Sequence, residues 1–266
     1  MKTSTICALL GALSLTTALP AVAQEAPAGP GAATTSGGPP VMPPYRPRST
    51  GPHGQHDPHG GLGAESLVRV ALQHQQEGRP GEAMRTLDQA VERYPRDARV
   101  RAVRASLLLA DGRVARALED LEMAVKLGPD DPQVLVNRAE AYRRFGRIGE
   151  ALADLDRAVA LDGDLVAARF NRGAIRYANG DYAGALEDLD RCIAVDPHAP
   201  GPYFNRAATY RAMGRREQAV ADLRRFMEVA GNPEWKKTAQ RLLEEWQKPV
   251  AGSGTPAPAA PGEDHS

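Results

Sequence analysis

The sequence predicts an all-α solenoid of helix–turn–helix units, closed by one further C-terminal helix. Three columns of identical residues carry that prediction. Gly78, Gly112, Gly146, Gly180 and Gly214 are spaced 34 residues apart. So are Ala83, Ala117, Ala151, Ala185 and Ala219, and again Leu87, Leu121, Leu155, Leu189 and Leu223. Columns of this depth at one interval mark an internal repeat. Composition points the same way, because good helix formers abound and aromatic residues make up only 5% of the chain.

The 266 residues divide into four regions. Residues 1–23 carry one positive charge, Lys2, then an apolar run from about Ile6 to Leu15, then Ala21-Val22-Ala23. That is the pattern of a secretory signal peptide cut after Ala23. The run is too short and too interrupted to remain as a transmembrane anchor after cleavage. The predicted location is therefore periplasmic or secreted, in a bacterial cell envelope. Residues 24–61 are rich in Pro, Gly and Ala and bury too little apolar surface to fold, so they read as a disordered linker. Residues 62–248 form the predicted repeat domain, and 249–266 a disordered tail. The chain has two cysteines, Cys7 and Cys192. Signal cleavage would leave Cys192 alone, so the fold must hold by packing and not by an internal disulfide.

The linker contains His53, His56 and His59, three residues apart. Neutral imidazoles at that spacing form a weak candidate metal site, and with it an alternative function as a metal-binding or metal-responsive envelope protein. The alternative is a polar spacer that happens to contain histidines. No cofactor is expected elsewhere.

Within the domain each unit carries two apolar helical faces separated by the glycine. In the third unit Leu135, Ala139 and Tyr142 mark the first helix and Ala151, Leu155, Ala158 and Val159 the second. Gly146 ends the first helix, since glycine accepts the left-handed conformation that closes a C-terminus. Asp131-Pro132 opens the unit as an N-cap followed by proline at the first helical position. Small residues recur where the helices cross: Ala71, Ala105, Ala139, Gly173 and Ala207. Cys192 falls in the packing column of Ala90, Ala124, Ala158 and Phe226, and reads as a small buried apolar residue. Trp235, Ala239, Leu242, Leu243 and Trp246 form one stripe on a final helix, 234–248, that would cover the last apolar face of the array.

On these residues the chain resembles the tetratricopeptide repeat family over about 64 to 233. The landmarks are Ala139, Tyr142, Ala151 and Ala158 in one unit and Gly173, Ala185 and Pro197 in another. The resemblance implies a right-handed superhelical solenoid with units at 64–97, 98–131, 132–165, 166–199 and 200–233. His74, Leu108 and Arg176 depart from the pattern where the family often has an aromatic residue.

A second set of columns is charged. Arg104, Arg138, Arg172 and Arg206 lie on the first helices, and Asp120, Asp154, Asp188 and Asp222 lie 16 residues later on the second. The first unit has Val70 and Thr86 there and lacks both. Joint presence and joint absence predict pairing within a unit; pairing to the next unit is the alternative.

The formal net charge is zero, which gives no long-range bias toward nucleic acid or an anionic membrane. No nucleophile–base set or phosphate-cradling loop appears in the array, so the predicted protein is not an enzyme. In such a superhelix the first helices line a concave wall. Candidate peptide-binding residues on it are Asn137, Asn171, Asn205, Phe170, Phe204, Tyr177, Arg143, Arg144 and Arg211. Asparagine both donates and accepts, so it can grip a peptide backbone of any sequence. The arginines favour acidic side chains or a terminal carboxylate. The predicted partner is a protein or extended peptide. The alternative for the asparagines is hydrogen bonding between helices.

Overall fold

The computed structural model describes residues 63–128 and 130–247. It contains eleven α-helices and no strand among the described residues. The first helices of the five units are α1 (Ala64–Gln76), α3 (Ala98–Ala110), α5 (Pro132–Arg144), α7 (Val166–Ala178) and α9 (Pro200–Ala212). The second helices are α2 (Pro80–Arg93), α4 (Val114–Leu127), α6 (Ile148–Leu161), α8 (Tyr182–Val195) and α10 (Arg216–Val229). Each first helix packs on its own second helix, and each second helix on the first helix of the next unit. The result is an all-α repeat solenoid.

The turn inside each unit follows from glycine. Gly78, Gly112, Gly146, Gly180 and Gly214 all have positive φ, between 73° and 82°. At Gly146 the amide donates to the Arg143 carbonyl at 3.0 Å, and the Arg147 amide donates back to Tyr142 at 2.9 Å. This pair of bonds satisfies carbonyls that the helix end would otherwise orphan. Between units, Asp97 and Asp131 cap α3 and α5 by accepting backbone amides.

The alanine and leucine columns are fully buried in all five units. At Gly173 an added Cβ would sit 3.4 Å from both the Ala185 carbonyl oxygen and the Asp188 Cβ, which explains the small residue where α7 meets α8. Cys192 is fully buried, with its thiol 3.6 Å from the Val166 carbonyl. α11 (Pro233–Gln247) packs on α10 and buries Ala239, Leu242, Leu243 and Trp246. Its start is fixed by the Asn232 side chain, which accepts from the Glu234 amide at 2.9 Å. No described helix is long and apolar enough to cross a membrane.

Candidate functional site

The first helices also touch one another from unit to unit along the whole array, whereas the second helices make no comparable contact among the described residues. The array therefore curves toward the first helices, and their outward faces line its inner wall.

Asn137, Asn171 and Asn205 occupy the same place on α5, α7 and α9, but their surroundings differ. The Asn137 side-chain oxygen accepts from Gln133 Nε2 one turn earlier, at 3.3 Å. Asn171 is half-buried. Asn205 is only 2% exposed, and neither its amide nitrogen nor its amide oxygen has a hydrogen-bond partner. An unpaired buried amide is unfavourable by about 1–3 kcal/mol, so this is a site of unmet hydrogen-bonding capacity.

The two phenylalanines are not available to a ligand. Phe170 and Phe204 are each 1% exposed. Phe170 packs with Leu189 and Cys192, and the Phe204 ring lies 5.3 Å from that of Phe226. Their place as candidate wall residues is corrected: they face the second helices and belong to the core. The same column in the other units, Val68, Ala102 and Val136, is buried as well, so the register itself places this position in the core.

Tyr177 is half-buried, with its ring 5.8 Å from that of Tyr182. Arg211 is exposed in the last turn of α9. Arg143 and Arg144 lie against Glu140, a buried carboxylate that the sequence reading missed. Arg143 donates to it through Nε and Nη2 at 2.8 and 2.9 Å, and Arg144 through Nε at 2.7 Å. The i, i+3 and i, i+4 spacing of these three residues was the signal that could have found it.

The charged columns pair within each unit. Arg104 meets Asp120 at 2.7 and 2.8 Å, and Arg138 meets Asp154 at 2.7 and 2.6 Å. Arg172 meets Asp188 at 2.9 and 2.6 Å, and Arg206 meets Asp222 at 2.7 Å through both nitrogens. Each is a two-pronged contact of the kind guanidinium geometry favours. Three of the arginines reach further. Arg104, Arg172 and Arg206 use their remaining nitrogen to bind Asp88, Asp156 and Asp190 on the second helix of the preceding unit. These side chains thus bridge units. The carboxylates hold all four guanidinium groups above their ordinary pKa, against the opposing effect of burial. The groups stay charged and serve the fold.

Burial pushes the Cys192 thiol up to about 12, with Asp188 adding to the effect. A thiol so protonated is a packing group and not a nucleophile. Among the described residues, no group of three or more His, Cys, Asp and Glu side chains is arranged to hold a metal ion. His53, His56 and His59, and the predicted cleavage site at Ala23, lie outside the described residues.

Two family models described as tetratricopeptide repeat match the chain, one over residues 71–132 and 136–200 and the other over 176–242. No curated protein matches it significantly. Among solved structures the chain is similar to YrrB, a TPR protein with an unusual peptide-binding site. That match has 20% identity and a TM-score of 0.54, and covers 67% of this chain and 92% of YrrB. It is also similar to TTC0263, a thermophilic TPR protein of Thermus thermophilus, with 23% identity and a TM-score of 0.56, covering 68% of this chain and 99% of that one. A third neighbour, MamA, shares 19% identity with a TM-score of 0.52, covering 66% and 95%. With the repeat period, the glycine turns and the stacked helix pairs, these matches establish that the chain belongs to the tetratricopeptide repeat family, whose fold is a scaffold for protein–protein interaction.

Proposed function

We propose that this protein is a non-enzymatic scaffold of the bacterial cell envelope that holds an extended peptide of a partner protein along the inner wall of its solenoid. The observation that carries the reading is the column of Asn137, Asn171 and Asn205 at one place on three successive first helices, with Asn171 only half-buried. An extended backbone offers one carbonyl and one amide per residue and would pair with a side-chain amide that both donates and accepts. Helices packed about 8–10 Å apart and a strand rising about 3.3 Å per residue would bring one asparagine to roughly every third ligand residue. Exposed Arg211 favours a ligand with an acidic side chain or a terminal carboxylate. The signal-like residues 1–23 support the envelope location.

The test is capture from envelope extract by the mature chain, beside Asn137→Ala/Asn171→Ala/Asn205→Ala with helicity checked by circular dichroism. The captured partner's segment is then synthesised, and its affinity measured for both proteins. The expected result is a segment bound by the wild type and at least about tenfold more weakly by the triple variant, the effect of losing ligand hydrogen bonds. Equal affinity for the two would return the asparagines to a structural role.

A further inference from the structure

We propose that unit 4, the α7–α8 pair, is the built-in opening point of this solenoid. Three successive turns of each first helix face its own second helix. In the other units at least one of these places is apolar or aromatic: Leu67, Leu108, Leu135 with Tyr142, and Tyr203 with Tyr210. In unit 4 all three are arginines, Arg169, Arg172 and Arg176. All three converge on Asp188, which is 0% exposed. It accepts from Arg172 at 2.9 and 2.6 Å, from Arg169 at 3.2 Å and from Arg176 at 2.9 Å.

The buried apolar core is split at two places, along α3 and at unit 4, and only at unit 4 do three arginines meet one buried carboxylate in the gap. One cluster of buried side chains runs from α3 to Ala168 and Ile175 of α7. A second runs from Tyr203 of α9 to Trp246 of α11, with only the partly buried Tyr177 and Ile193 of unit 4 packed against it. Between them Phe170, Leu189 and Cys192 form a small separate patch with Val166. Taking a carboxylate and its guanidinium partners out of water offsets much of their mutual attraction, so an ion cluster contributes less than the apolar packing it replaces. In a solenoid, stability is close to a sum of unit and neighbour contributions. A weak contribution in the interior therefore adds an opening point there, separate from fraying at the chain ends. Opening at α7 parts the inner wall between Asn171 and Asn205, although the opening itself does not depend on any ligand.

Hydrogen exchange of the full chain, resolved by peptide, tests this without a substitution. The expected pattern is a dip: amides of α7 and α8 exchange about tenfold faster than those of α5–α6 on one side and α9–α10 on the other. A steady loss of protection toward the C-terminal end would mean fraying, and uniform protection would mean a single cooperative unit; either overturns the proposal. Cys192 gives a second reading in the full chain carrying Cys7→Ser, where it is the sole thiol. Its modification by a thiol reagent at low urea should run about tenfold ahead of the rate set by global unfolding. Modification that coincides with global unfolding, followed by circular dichroism, overturns the proposal as well.

Discussion

Arg172 and Asp188 meet through two parallel hydrogen bonds, at 2.9 and 2.6 Å, across the interface of the fourth helix pair. The third guanidinium nitrogen crosses to Asp156 on the preceding unit at 2.9 Å. One side chain thus fixes the angle within a unit and the stacking between two units. Its two acidic partners sit in different media: Asp188 is fully buried, whereas the Asp156 side chain is 58% exposed.

Removing the two carboxylates therefore has unequal effects. Asp188→Ala leaves buried guanidinium groups without their anion and is expected to destabilise by about 3–5 kcal/mol. Asp156→Ala removes a solvent-screened pair and should lose no more than about 1 kcal/mol. Urea unfolding of both variants at one pH checks the contrast; equal losses would show that the burial difference does not govern the pair.

The turn glycines should be sensitive to any side chain. Gly146 has φ of 73° with open space around its Cα. The penalty for Gly146→Ala is thus conformational and not steric crowding by neighbours, about 1–2 kcal/mol. Gly146→Asn should lose less, because asparagine tolerates the left-handed region. Thermal or urea melts of the two variants give the order directly.

Asn205 should oppose stability in the free protein. Replacing it by leucine removes two unpaired buried polar atoms and is expected to stabilise by about 1 kcal/mol or more. A midpoint in urea that falls on Asn205→Leu would indicate that the amide is satisfied in solution.

The Cys192 thiol carries a pH signature. Burial raises it from the ordinary 9.0 to about 12, so the folded state holds its proton more tightly than the unfolded state. Its contribution is fully present below about 9 and is lost as pH rises toward about 12, because there the unfolded chain releases the proton first. The stability difference between wild type and Cys192→Ala should therefore shrink across that window, by at most about 1.4 kcal/mol per pH unit. Paired urea titrations at pH 8 and at alkaline pH measure it.

The sequence by itself determined the local and within-unit structure. The glycine column demanded positive φ, the alanine and leucine columns demanded burial, and joint absence in the first unit pointed to pairing of Arg104, Arg138, Arg172 and Arg206 within their own units. Each of these requirements repeats at a fixed separation, so a period in the sequence reports it. Contacts between units and the direction a side chain takes were decided by the tertiary structure. It set Asp88, Asp156 and Asp190 within reach of the next unit's arginines, turned Phe170 and Phe204 into the core, placed Glu140 between Arg143 and Arg144, and closed Asn205 off without partners. The reason is physical: the rotation from one unit to the next is the outcome of packing whole helix faces together, and identical residues at identical repeat positions meet different neighbours once that rotation is fixed.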